Sequence, residues 1–465
     1  MAVAASLFFA ACGDDSSPSA SIPGLSQDES SSSTEIVYST DSEGNQVIVS
    51  VPSSSPSTEG NQNTDSGNVP NSNSSSDSGS NPGPNSVTPA PEITDAPAVG
   101  SGKVNFPFPQ ESDYGGRATL LSNKSAASAQ LKSAFAAWMK DMYNESENLA
   151  GIRSNPGSDE YFSEGIGYGM ILMVYFSDNT TSYQPQFDKL WNTYKKFDDG
   201  NGLMHWKIGK LTEVWDKGAA LDGDIDAAAA LIMAAYQFGD QKYLAEAKTL
   251  IQAMKNYEFE ASGQHLPGDS WGAGVTRRNP GYFDPAYMPL FAAVDKDNAT
   301  FWSVTAYDAN MKLYESSANE SNNKTGLIDD WTNNYGVSED DYYSYDASRA
   351  PWRNAKAVCW HGDARALAID AKIAKWASGV SANSLSGPIV RSTGSLGNDH
   401  NSTFIATIMT SFISGATYQS NLDSYWTEAV NLGNENYFNQ SLKLLNGLLV
   451  SGNMPNLMAL AAGQK

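Results

Sequence analysis

Three acidic motifs carry residue types and spacings that could do chemistry. Glu164 stands in Tyr161-Phe162-Ser163-Glu164-Gly165-Ile166-Gly167-Tyr168-Gly169-Met170, where Ser163 reads as a helix N-cap and Glu164 as a first-turn carboxylate. A carboxylate there could do no more than complement the helix dipole. The three glycines argue for something further, because they weaken a helix and permit close approach of backbone or ligand. Asp222, Asp224 and Asp226 follow in Ala220-Leu221-Asp222-Gly223-Asp224-Ile225-Asp226. A calcium loop is excluded, since its sixth position would be Ala227 rather than Gly and its twelfth Met233 rather than Glu. Asp346 lies in Tyr345-Asp346-Ala347-Ser348-Arg349-Ala350-Pro351-Trp352-Arg353, with Arg349 spaced to hold it ionised.

Such a set suits acid–base hydrolysis of a glycosidic bond. An inverting mechanism needs two carboxyl groups in different protonation states, about 6.5–9.5 Å apart, with a water between them. Glu164 beside a carboxylate cluster suits the proton donor, and Asp346 beside Arg349 suits the base that activates the water. A helix N-terminus lowers the pKa of a carboxyl, so burial and the charge of Asp222 must outweigh it at Glu164.

The elements that must position these groups repeat along the chain. An apolar helix, a polar turn containing Asp and an amphipathic helix recur at 171–176 and 185–197, at 228–238 and 243–257, and at 288–294 and 300–314. Segments 365–377, 403–414, 422–432 and 437–449 continue the theme. The helices that are apolar all round must be buried, and those with one polar face must lie outside. Six such hairpins close into an all-α, double-layered toroid, the (α/α)6 barrel. An open solenoid is the structural alternative.

Composition narrows the rest. The 465-residue chain has a formal net charge of −23, which disfavours nucleic acid and anionic membranes as partners. Four His and two Cys provide neither a metal cluster nor a disulfide framework, so no metal or cofactor is expected. Cys359 is expected to be a buried, inert thiol. The 11 Trp and 22 Tyr serve core packing, or offer flat platforms for sugar rings.

Residues 1–12 read as a signal peptide, and Phe9-Ala10-Ala11-Cys12-Gly13 resembles a bacterial lipobox in which Cys12 is lipidated. No Lys or Arg stands near Met1, which leaves a start upstream open. Export to the outer membrane or cell surface as a lipoprotein is expected, otherwise secretion. Residues 13–102 are rich in Ser, Asn, Pro and Gly and read as a disordered linker, with a weakly alternating hairpin pattern at 35–51. Residues 103–465 form the expected catalytic domain, expected to be a monomer.

Taken together, the motifs resemble glycoside hydrolase family 8. Besides the three acidic motifs, Gly202-Leu203-Met204-His205-Trp206 is similar to the family's Gly-Leu-Met-x-Trp element, and Asn279-Pro280-Gly281-Tyr282-Phe283-Asp284-Pro285 to its Asn-Pro-Ser-Tyr-Phe-x-Pro segment. Leu221 and Gly281 depart from that pattern. The resemblance implies an (α/α)6 barrel and inversion, with Glu164 as general acid, Asp346 as general base and Asp222 binding the sugar at the cleavage point. Arg349 would position Asp346, while Tyr168, Trp206, Trp271 and Tyr282 would contact substrate. The implied substrate is a β-1,4-glucan cut internally, with xylan as the alternative and chitosan or mixed-linkage glucan behind it. A surface lipoprotein that binds glycan without cleaving it is the rival class, but such a protein has no use for the acid–base pair.

Overall fold

The computed structural model describes residues 88–271, 275–433 and 435–464, together with two short strands near the N-terminus. Those strands, Tyr38–Thr40 and Gln46–Ile48, pair antiparallel within the segment where alternation suggests a hairpin. Cys12 and the greater part of the expected linker lie outside the described residues.

Twelve helices of the larger unit alternate between two layers. The outer helices are α1 (Lys124–Asp141), α3 (Gln184–Lys196), α5 (Lys242–Tyr257), α7 (Tyr307–Asn319), α9 (Ala364–Ala377) and α11 (Gln419–Asn431). The inner helices are α2 (Ser163–Phe176), α4 (Leu221–Phe238), α6 (Met288–Val294), α8 (Arg349–His361), α10 (Ser402–Ser411) and α12 (Tyr437–Val450). Every residue of α2, α4, α10 and α12 is buried, whereas each outer helix buries only one face. That division follows from sequence: helices apolar all round can only go inside, and helices with a charged stripe need solvent on that side. The ring closes where α12 packs on α2. The protein is therefore an (α/α)6 barrel, and no described helix is long and apolar enough to cross a membrane.

Alternation between layers makes the inner helices parallel, so their N-termini gather at one mouth. Short strands decorate the connections, a feature that helical periodicity does not reveal. The one nearest the site is the three-stranded sheet of Glu160–Phe162, Lys207–Gly209 and Glu213–Asp216, all antiparallel.

The expected boundary at residue 103 requires correction. Residues 88–102, whose composition reads as linker, run in extended form along the helical unit. Ala90 donates its N–H to the carbonyl of His361, the last residue of α8, and Tyr236 donates its hydroxyl to the carbonyl of Pro97. Just beyond, the Asn105 N–H reaches Gln237 O and the Phe108 N–H reaches Ser177 O. His361 O, Gln237 O and Ser177 O sit at the C-terminal ends of α8, α4 and α2, where helices leave carbonyls without intrahelical partners. Ala90 thus caps the end of α8, while Ile93, Ala96 and Val99 of the same segment pack partly buried against the core.

Cys359 is buried and free, as expected, and burial raises its thiol pKa. His265 is likewise structural: its ring bonds Asn310 Oδ1 and Asn279 O, and burial lowers its pKa to about 4.

Candidate active site

Glycine sets how closely the acidic motifs approach each other. A Cβ on Gly223 would stand 2.6 Å from the backbone carbon of Ser163, and one on Gly167 would stand 2.9 Å from the carbonyl oxygen of Gly223. Both distances are shorter than real contacts, so α2 and α4 can cross at this depth only without side chains there. The crossing brings Glu164 and Asp222, each in the first turn of its helix, to one point. Ser163 is itself helical rather than the N-cap, a position taken by Phe162 with no side-chain capping bond. The Ser163 N–H is satisfied instead by Trp206 O at 2.9 Å.

A single guanidinium organises the carboxyl groups. Arg349, the first residue of α8, donates from Nε to Glu164 Oε1 at 2.5 Å and places Nη2 3.1 Å from Asp222 Oδ2. Its Nη1 lies 3.7 Å from Asp346 Oδ1 and donates to the Asp346 backbone carbonyl at 2.9 Å. Of its three carboxylate contacts the one expected, with Asp346, is thus the longest, although Arg349 also holds the Asp346 backbone. The side chains of Glu164 and Asp222 are 6% and 5% exposed against 33% for Asp346, so Asp346 is the carboxylate that water reaches.

Each carboxyl has further partners. Glu164 accepts from Tyr168 Oη at 2.8 Å and from Tyr437 Oη at 2.7 Å. Asp222 is pushed up to about 8, by burial first and the charge of Glu164 second, with Arg349 opposing. Asp222 thus retains its proton near neutrality. Asp346 accepts from Trp331 Nε1 at 3.0 Å. Its loop is fixed by Asp330, whose carboxylate takes the N–H groups of Ser344 and Ala347, both at 2.7 Å. Gly281 lets the preceding loop close on it, since a Cβ there would lie 2.5 Å from Asp346 O.

Four of the five residues expected to position the base or contact the sugar fall around this centre. Tyr168 bonds Glu164, Tyr282 places its ring 5.2 Å from the Arg349 guanidinium, and Trp206 stacks on Phe162 at 5.8 Å. Arg349 is the fourth. Trp271 ends a short 3-10 turn, Asp269–Trp271, and its side chain lies outside those described. Tyr437, Trp331 and Asp330 escape sequence reasoning. Tyr437 follows Asn436, a clear capping residue of α12, but nothing local ties it to Glu164.

The three aspartates of the second motif diverge in role. Asp226, one helical turn below Asp222, pairs with Arg353 at 2.9 Å, which is one turn below Arg349. Arg353 and Lys356 also hold Asp284, at 3.1 and 2.6 Å, so a fully buried ion network underlies the site. Asp224 points away, to Tyr194 and the buried carboxyl of Glu258. Burial raises Asp224 to about 7 and Glu258 well above its ordinary value, with Asp199 and Asp269 adding negative charge nearby.

That pair has a measurable consequence. A carboxyl of raised pKa binds its proton more tightly folded than unfolded, where the value is about 4, so stability falls as pH rises between the two. Thermal unfolding is expected to move to lower temperature from about pH 5 to pH 8. Glu258→Gln, which removes the titrating carboxyl at nearly unchanged size, should flatten that decline. An unchanged slope in the variant would place the origin elsewhere.

Comparison with known proteins agrees with this geometry. A sequence model of the family described as "Glycosyl hydrolases family 8" matches residues 116–452. Endoglucanase A of Acetivibrio thermocellus is 33% identical over 385 residues, covering 79% of this chain and 78% of that protein. Endoglucanase 2 of Ruminiclostridium josui is 32% identical over 372 residues, covering 76% and 78%. Among solved structures, a β-1,3-1,4-glucanase from Paenibacillus sp. X4 superposes with a TM-score of 0.68 at 24% identity, over 75% of this chain and 98% of that one, which speaks to the fold. With the barrel, the family match across most of it and the carboxylate motifs meeting at one mouth, the chain belongs to glycoside hydrolase family 8.

Proposed function

We propose that this glycoside hydrolase cleaves internal β-1,4 bonds of glucan with inversion of the anomeric centre. The carrying observation is one guanidinium that touches two enclosed carboxyl groups and a third that water reaches. Glu164, enclosed beside the proton-bearing Asp222, acts as the general acid that protonates the leaving glycosidic oxygen. Asp346, held by Trp331 and open to solvent, takes a proton from the water that attacks C1 from the opposite face. Asp222 grips the sugar at the cleavage point, and Tyr282 and Trp206 supply aromatic surface along the chain. Glucan is favoured over xylan by the two relatives named endoglucanase, which align over more than three quarters of this chain.

The same proposal places the enzyme outside the cytoplasm as a monomer tethered through Cys12, on the strength of the lipobox-like sequence and the Ser- and Pro-rich stretch after it.

Reducing-sugar release by the full chain from barley β-glucan, carboxymethylcellulose, xylan and chitosan tests the substrate. Activity is expected on the first two, with viscosity falling faster than reducing ends accumulate. Proton NMR of early products should show the α-anomer first. Initial β-anomer would overturn inversion, and activity on xylan alone would move the substrate while keeping the mechanism.

A further inference from the structure

The sheet beside the acid carries an aromatic residue that the proposed reaction does not use. Tyr161 and Ile208 point to the buried side of the three-stranded sheet and are fully enclosed. Alternation puts Phe162, Lys207 and Gly209 on the other side. Phe162 immediately precedes the Ser163-Glu164 turn, and its ring lies 5.5 Å from that of Tyr437, the residue bonded to Glu164. Trp206 stacks on Phe162 at an interplanar angle of 13°, and Lys207 Nζ sits 5.7 Å from the Trp206 ring. Aromatic surface therefore runs outward from the acid along this face.

Trp215 continues it on the outermost strand. A bulge between Lys207 and Ile208 in the pairing re-aims this strand, and the Trp215 ring occupies the space above Gly209, where a Cβ would lie 1.8 Å from Trp215 Cε2. Gly209 thus seats the ring on the sheet, and Glu213 Oε2 accepts from its Nε1 at 3.1 Å, which fixes its rotation. Even so, 45% of this large apolar side chain is open to solvent. A tryptophan held in one orientation by a glycine and a carboxylate, and left exposed, is built to be covered by something flat.

We propose that Trp215 is an outer binding platform for a β-linked pyranose chain, stacking on a sugar ring beyond those held at the cleavage point. Two inter-strand steps separate its strand from Phe162, roughly 10 Å, about the length of one β-1,4-linked disaccharide. Trp215 thereby makes affinity depend on substrate length, since only longer chains fill the centre and reach it together. Glu213 at the indole, and Lys207 and Asp216 opposite one another on the two strands, offer groups able to bond sugar hydroxyls. The inference rests on the glycoside-hydrolase reading of the site, but its test can be separated from that of the substrate.

In the full chain silenced by Glu164→Gln, binding of tri- and hexasaccharides of the cello and xylo series is measured by calorimetry, with and without Trp215→Ala. The hexasaccharide of the preferred series should bind about 10-fold more weakly in the double variant, equivalent to about 1.4 kcal/mol, while the trisaccharide is unaffected. Trp215→Phe should restore most of the loss. Equal losses for both lengths, or none for either, would overturn the platform. A length-dependent loss in a protein that hydrolyses neither polymer would keep the platform and sink the proposed reaction instead.

Discussion

Glu164→Gln and Asp346→Asn should each lower turnover on polymeric glucan by about 10²- to 10⁴-fold, yet respond oppositely to the leaving group. Glu164 is useful only while the departing oxygen needs a proton. On a β-glycosyl fluoride or dinitrophenyl glycoside, whose leaving group departs as a stable anion, Glu164→Gln should recover most of its activity. Asp346→Asn should not, because the attacking water still lacks a base. Both substitutions are isosteric, and in Glu164→Gln the amide oxygen can still accept from the Tyr168 hydroxyl while the amide NH2 replaces the oxygen that accepts from Tyr437. Steady-state rates on the two substrate classes check the assignment, with circular dichroism as the folding control. If Asp346→Asn were rescued by a good leaving group and Glu164→Gln were not, the roles would be exchanged. If neither lost activity on polymer, the site itself would be wrongly placed.

How far the sequence discloses this arrangement depends on what each element must bury. Helices α2, α4, α10 and α12 are legible because their apolar residues face every direction, which only the interior of a double layer accommodates. Helix α8 is marked in the sequence only by the motif at its start. It is buried along nearly its whole length yet carries Arg349, Arg353 and Lys356, whose charges disguise it as a surface segment. Their compensating partners, Asp226 and Asp284, come from distant parts of the chain and no local pattern reveals them. The same reason hides Tyr437, which reaches Glu164 across 273 residues of sequence, and Trp331, which reaches Asp346 from a loop. The glycines at 167 and 223 are the most informative local signal: their cost to a helix predicts close approach, and the contact they permit is what joins the acid to Asp222.

Replacing Arg349 should separate geometry from charge. Arg349→Lys keeps a cation but cannot present nitrogens to three carboxyl groups at once, because an ammonium is a point charge on a flexible stem rather than a planar fork. Turnover should fall about 100-fold, in line with the one-ångström misplacements that commonly cost this much, with the pH optimum little moved. Arg349→Met removes the charge as well. Asp222, already pushed up to about 8 against the opposition of this guanidinium, would rise further and hold its proton to higher pH. Activity needs a proton kept among the enclosed carboxyls, so the alkaline limb of the pH–rate profile should move upward in Arg349→Met as Asp222 holds its proton longer. Leaving buried carboxyls without their cation also costs stability, on the order of 3–5 kcal/mol for a broken buried pair, so the profile is to be taken at a temperature where the variant is folded. A lysine variant with full turnover would show that the three-way contact is dispensable. A methionine variant with an unmoved profile would show that Arg349 positions the carboxyl groups without setting their protonation.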